Sequence, residues 1–130
     1  MLVAGERIMI LLADDFKAWR LYLRALLEKE PNLEVVDEAE DGFQAVEKAR
    51  KHQPDVVLLD IGMPVLNGIE AAKKIREVSP HSKILMVSIE RAGDFAEAAL
   101  RAGAAGYIPK SEVSSKLLPA INRLRKKTSA

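Results

Sequence analysis

Short apolar runs alternate along the chain with longer stretches in which apolar residues recur every three or four positions. The runs are Ile8 to Ala13, Leu33 to Ala39, Val56 to Leu59, Lys83 to Val87 and Gly106 to Ile108. Runs this short, with little polar alternation, predict strands buried on both faces. The stretches between them predict helices. Phe16, Trp19, Leu23, Leu26 and Leu27 form the inner stripe of the first, broken by Pro31-Asn32, and Phe43, Val46 and Ala49 that of the second, ended by Gln53-Pro54. Gly68 opens the third with Ile69, Ala72, Ile75 and Val78 inward, and Ser79-Pro80 stops it. Phe95, Ala98, Ala99 and Ala102 mark the fourth, with Gly103 as its C-terminal cap. For the fifth, Leu117, Leu118, Ile121 and Leu124 face inward, Ser114 or Ser115 is the expected cap, and Pro119 is placed in or near the first turn.

A strand–helix unit repeated in this way predicts an α/β fold: a doubly wound, five-stranded parallel sheet covered by helices on both faces. Ligands of such sheets gather beyond the carboxyl ends of the strands. At those ends stand Asp14-Asp15, Asp60, Ser88 and Lys110, whereas the opposite edge carries the turn residues Pro31, Pro54 and Pro80.

Composition narrows the function classes. With 130 residues, the chain is expected to form one domain, residues 1–130, with 1–6 and 126–130 as flexible ends. A net charge of +1 gives no electrostatic case for nucleic acid or an anionic membrane. The basic stretch from Arg123 to Lys127 reads as a solvated helix end. Cysteine is absent, which excludes disulfides and thiolate chemistry. No apolar run approaches the roughly 20 residues that span a bilayer, so a cytoplasmic location is expected.

Adjacent carboxylates repel each other, which makes Asp14-Asp15 a costly choice for an ordinary turn unless a cation offsets them. Asp15 as a helix cap is the bland alternative. Asp60 at the neighbouring strand end adds a third carboxylate, and such a set suits Mg²⁺ together with phosphate oxygens. A carboxylate beside that ion is a plausible nucleophile toward phosphorus, with Asp60 as the candidate. Ser88 and Lys110 would bind the oxygens of the group so formed.

From Ile8 to about Leu124 the chain resembles a response-regulator receiver domain of two-component signalling. The resemblance rests on Leu11-Leu12-Ala13-Asp14-Asp15, Glu38-Ala39-Glu40-Asp41-Gly42, Leu59-Asp60-Ile61-Gly62-Met63-Pro64, Asn67-Gly68-Ile69-Glu70, Val87-Ser88 and Gly103 to Lys110. The segments Asp60 to Gly68 and Gly103 to Ser111 are most similar to the branch whose output is a LuxR/NarL-type helix-turn-helix. The resemblance implies a flavodoxin-like strand order of 2-1-3-4-5. It implies that Asp60 accepts a phosphoryl group from a sensor histidine kinase or phosphotransfer protein, and that Mg²⁺ is held by Asp15, Asp60 and the backbone carbonyl of Gly62, with Asp14 acting largely through water. Lys110 would pair with the phosphoryl oxygens, Ser88 would turn toward them, and Tyr107 would follow inward, moving an output surface from Arg91 to Ala102.

By the same resemblance the chain is a phosphoacceptor rather than an enzyme acting on other substrates, expected to serve transcription regulation, with possible homodimerisation on phosphorylation. It is not expected to contact nucleic acid directly. A stand-alone receiver or phosphorelay module is the alternative. A haloacid-dehalogenase-type phosphatase would need a second carboxylate where Gly62 stands, and a flavin-binding module would need a Gly/Ser/Thr-rich loop where Asp14-Asp15 stands. The chain has its own departures from the family pattern. Ser88 replaces the commoner threonine, Ile89 follows it where a small residue is usual, and Pro109 precedes Lys110 rather than following it.

Overall fold

A computed structural model of the protein describes residues 7–89 and 92–128, with side chains at 7–89 and 96–124. Its strands are β1 (Ile8–Ala13), β2 (Leu33–Ala39), β3 (Val56–Leu59), β4 (Lys83–Ser88) and β5 (Gly106–Pro109). The helices are α1 (Lys17–Glu28), α2 (Gly42–His52), α3 (Gly68–Val78), α4 (Ala92–Arg101) and α5 (Val113–Thr128). All strand pairs are parallel, in the expected order β2-β1-β3-β4-β5. Each apolar run is continuous because successive side chains enter different cores on the two sheet faces. Leu11, Val57, Leu59, Ile84 and Met86 pack with the alanine-rich faces of α2, α3 and α4. Ile10, Leu12, Leu58, Leu85 and Ile108 pack with α1 and α5. The edge strand β2 departs from the apolar pattern, carrying Glu34, Asp37 and Glu38 within a half-exposed run.

Several helix details correct the sequence-based expectation. Phe16 is 68% exposed and precedes α1, and Phe43 is 59% exposed in the first turn of α2, where Ala45, Val46 and Ala49 make the buried stripe instead. Ser114 and Ser115 do not cap α5. A 3₁₀ turn at Lys110–Glu112 leads directly into it, and the Ser115 hydroxyl donates back to the Glu112 carbonyl. Starting at Val113, α5 places Pro119 in its interior rather than its first turn. Gly103, with φ of 103°, follows α4 as expected, while Arg91 and the Phe95 side chain lie outside the described residues, as do 1–6, 129 and 130 of the expected flexible ends.

The segment between β3 and α3 is clamped at both ends. A Cβ on Gly42 would lie 1.7 Å from the Leu66 carbonyl oxygen, and one on Gly68 would lie 2.2 Å from the carbonyl oxygen of Asp60. Between these contacts the Leu66 amide donates to the Pro64 carbonyl at 2.7 Å, closing a γ-turn on Val65 with φ of 69°. Asn67 then caps α3, its Oδ1 accepting from the Glu70 amide at 3.0 Å. Asn67→Ala is expected to lower stability by about 1 kcal/mol. Urea unfolding measures this, and an unchanged midpoint would mean that packing alone sets the start of α3.

Candidate functional site

Strand register brings the chemical positions together. Ala13 pairs with Leu59, so Asp14 and Asp60 follow side by side, and the Asp60 amide still donates to the Ala13 carbonyl at 3.0 Å. Ser88 pairs with Pro109, which places Lys110 immediately beyond the same sheet edge. Carboxylate oxygens of Asp14, Asp15 and Asp60 lie within 4.8 Å of one another. Asp14, Asp60 and Ser88 are buried, and Asp15 is exposed.

The three carboxylates have different commitments. Asp14 Oδ1 accepts from the Phe16 amide at 2.8 Å. Its Oδ2 is 2.7 Å from the Lys110 ammonium, a close ion pair that lacks the alignment of a directed hydrogen bond. Asp15 caps nothing, because α1 has no side-chain cap. For Asp60, burial and then the neighbouring Asp14 charge push the carboxyl up to about 6, against the opposing pull of Lys110 and the donating Gly62 amide. A carboxylate whose charge is disfavoured first by burial and then by an acidic neighbour is one that a cation or a substituent would relieve.

The site also holds two residues, Arg20 and Trp19, whose place in it the sequence reading missed. Arg20 on α1 is 6% exposed and donates through Nη1 to the Asp14 carbonyl at 2.7 Å and through Nε to Glu38 at 2.7 Å. Glu38 also accepts from Arg24 at 2.8 Å. Burial opposes the Glu38 charge, but the two guanidiniums more than offset it and hold its carboxyl below the usual range. Trp19, beside Arg20, lays its ring 5.0 Å from the Lys110 ammonium. Tyr107 is half-buried against the core formed with α2, α3 and α4, and Ile89 is 77% exposed.

Residues 10–122 match the family model of the response regulator receiver domain. The chain belongs to that family. This receiver is 37% identical over 119 residues to the transcriptional regulatory protein DegU of Brevibacillus brevis, covering 92% of the chain and 50% of DegU. It is 40% identical over 114 residues to the chemotaxis protein CheY of Bacillus subtilis, covering 88% of the chain and 94% of CheY. The signal receiver domain of NarL from Mycobacterium tuberculosis superposes on it with a TM-score of 0.87 at 30% identity, covering 94% of this chain and 98% of that one. The receiver therefore spans about half the length of the transcriptional regulator DegU and nearly all of CheY. No helix among its described residues is long and apolar enough to cross a membrane.

Proposed function

We propose that this receiver takes a phosphoryl group onto Asp60 from a phosphohistidine on a sensor kinase or phosphotransfer protein in the cytoplasm, and that the modified domain serves transcription regulation. The observation that carries this reading is the convergence of three carboxylates at one sheet edge, with Lys110 paired to Asp14 among them and the Asp60 carboxyl raised to about 6. An Asp60 oxygen attacks phosphorus, the bond from phosphorus to the donor nitrogen breaks, and the histidine leaves with the electron pair. Water later attacks the same phosphorus and releases inorganic phosphate, regenerating the carboxylate.

The donor set fits Mg²⁺. Asp15 and Asp60 are the carboxylates not tied to Lys110, and they would hold the ion with the Gly62 carbonyl, while Asp14, engaged by Lys110 and the Phe16 amide, would reach it through water. When bound, Mg²⁺ offsets the negative charge that develops during transfer. Lys110 pairs with the phosphoryl oxygens, Ser88 donates its hydroxyl to them, and Tyr107 transmits the change toward α4 and β5. Homodimerisation on phosphorylation is part of this reading, and direct contact with nucleic acid is not. The likeness to the transcriptional regulatory protein DegU supports a transcriptional output, and the likeness to the chemotaxis protein CheY supports a stand-alone receiver as the second reading.

Incubation with acetyl phosphate and Mg²⁺, followed by intact-mass measurement, tests the assignment. One phosphoryl group is expected on the parent and none on Asp60→Asn, and Asp15→Ala is expected to bind Mg²⁺ more weakly. Full labelling of Asp60→Asn would overturn the choice of acceptor.

A further inference from the structure

The Lys110 ammonium is held between two unlike groups. On one side is Asp14 Oδ2 at 2.7 Å, and on the other the ring of Trp19 at 5.0 Å, with only 14% of the lysine side chain exposed. An ammonium within about 6 Å of an indole face is attracted by the ring quadrupole, more strongly when water is excluded. The ring is itself fixed, being part of α1, packed against the core beneath that helix and tilted against the Tyr22 ring at 5.1 Å. Its indole N–H is buried with no hydrogen-bond acceptor among the described residues. A buried unpaired donor is unfavourable, and a phenyl or leucyl side chain would fill the place without one. The ring face is the part of Trp19 that has a partner.

The two contacts differ in what they require of the lysine. The Asp14 carboxylate draws the ammonium to one point by ion pairing, so it competes directly with any other anionic oxygen that Lys110 is to serve. An aromatic face attracts the charge without occupying a directed donor. We propose that Trp19 is a positioning residue for phosphorylation: its ring keeps the Lys110 ammonium over the acidic pocket while the lysine exchanges Asp14 for the oxygens of the incoming phosphoryl group. This rests on the reading of Asp60 as the acceptor. The ring touches neither donor nor acceptor and acts only through the lysine. Without it, the ammonium released by Asp14 has no second anchor and swings out to water, as long lysine stems readily do.

The test compares Trp19→Leu with Trp19→Phe. Leucine keeps apolar bulk but has no ring face, whereas phenylalanine keeps a face and removes the unpaired N–H. With acetyl phosphate and Mg²⁺, labelling of folded Trp19→Leu is expected to be about tenfold slower than the parent, and Trp19→Phe within about twofold of it. In a Lys110→Met background, slow as that protein is, exchanging Trp19 for leucine should cause no further loss, because the ring has no cation left to hold. Equal slowing of the leucine and phenylalanine variants would assign Trp19 to packing alone and overturn the proposal. So would parent-like labelling of Trp19→Leu, or an undiminished effect of the leucine change in the Lys110→Met background. A parent protein that takes no label defeats the reading of Asp60 first and this inference with it, an outcome distinct from the others.

Discussion

Arg20→Met is expected to lower stability by about 3–5 kcal/mol, the range for removing one member of a buried, hydrogen-bonded ion pair. The guanidinium is almost fully enclosed and serves two acceptors, the Asp14 carbonyl and Glu38 Oε1, each at 2.7 Å, with the exposed Glu40 carboxylate a looser ion-pair contact at 3.7 Å. Methionine fills similar space but leaves the carbonyl without its donor and Glu38 with Arg24 alone. Since the freed carbonyl belongs to Asp14, Mg²⁺ binding should weaken together with stability. Arg20→Lys should recover only part of the loss, because a single ammonium cannot reproduce a planar fork aimed at two separate oxygens. Urea unfolding with Mg²⁺ titration measures both effects. A loss below about 1 kcal/mol would show that the pair is replaceable and that β1 alone holds Asp14 in place.

Asp60→Asn should have the opposite sign. In the absence of divalent cations it is expected to stabilise the protein by about 2 kcal/mol at pH 7 to 8, less than a sealed site would give because the pocket opens to solvent. The folded Asp60 carboxyl titrates at about 6 against an ordinary 3.8, so between those values the folded state binds more protons than the unfolded chain. Stability contributed by this group is therefore present below pH 4 and lost as pH rises through 6. The asparagine side chain does not titrate, so the difference between variant and parent should grow across that window and level off above it. Unfolding midpoints from pH 3.5 to 8 in chelator measure the difference. A constant gap at all pH values would remove the ionised, buried Asp60 carboxylate as its cause. Added Mg²⁺ should narrow the gap, because the parent gains from binding what the variant has already gained by losing the charge.

Strand positions were legible in the sequence for one physical reason, whereas the sheet order followed only from the family resemblance. A parallel strand between two helical layers has no solvent face, so Val56 to Leu59 and Ile84 to Val87 are apolar without interruption. The residues following such strands then stand at one edge, and Asp14, Asp60, Ser88 and Lys110 needed no further information to be grouped. Helix ends were harder. Phe16 and Phe43 are apolar and near the right period, but each lies where its helix begins, outside the buried stripe. Pro119 reads as a first-turn proline only if α5 starts late, and the 3₁₀ turn after β5 moves that start forward.

Arg20 escaped because arginine in an amphipathic stretch ordinarily marks the wet face. Its spacing of three from Leu23 and seven from Leu27, both buried, is the signal that it lies on the inner face, but its partner Glu38 is on another element with no local cue. Trp19 was correctly placed on the inner side of α1. That its ring meets Lys110, in the turn after β5, is a tertiary fact that periodicity does not contain.

The clamped segment between Asp60 and Gly68 bears on how tolerance to substitution would be distributed. Neither Gly42 nor Gly68 offers a side chain to any reaction, yet the smallest addition to either collides with backbone: the Leu66 carbonyl in one case and the carbonyl of Asp60 itself in the other. A survey of all single substitutions scored by signalling output would rank these two glycines beside Asp60, the proposed acceptor. Scored by the amount of folded protein, it would separate them, because Asp60→Asn is expected to accumulate at least as well as the parent while Gly42→Ala and Gly68→Ala are depleted. Intolerance around this pocket thus has two origins, chemistry at the strand ends and lack of room beside them, and abundance tells one from the other.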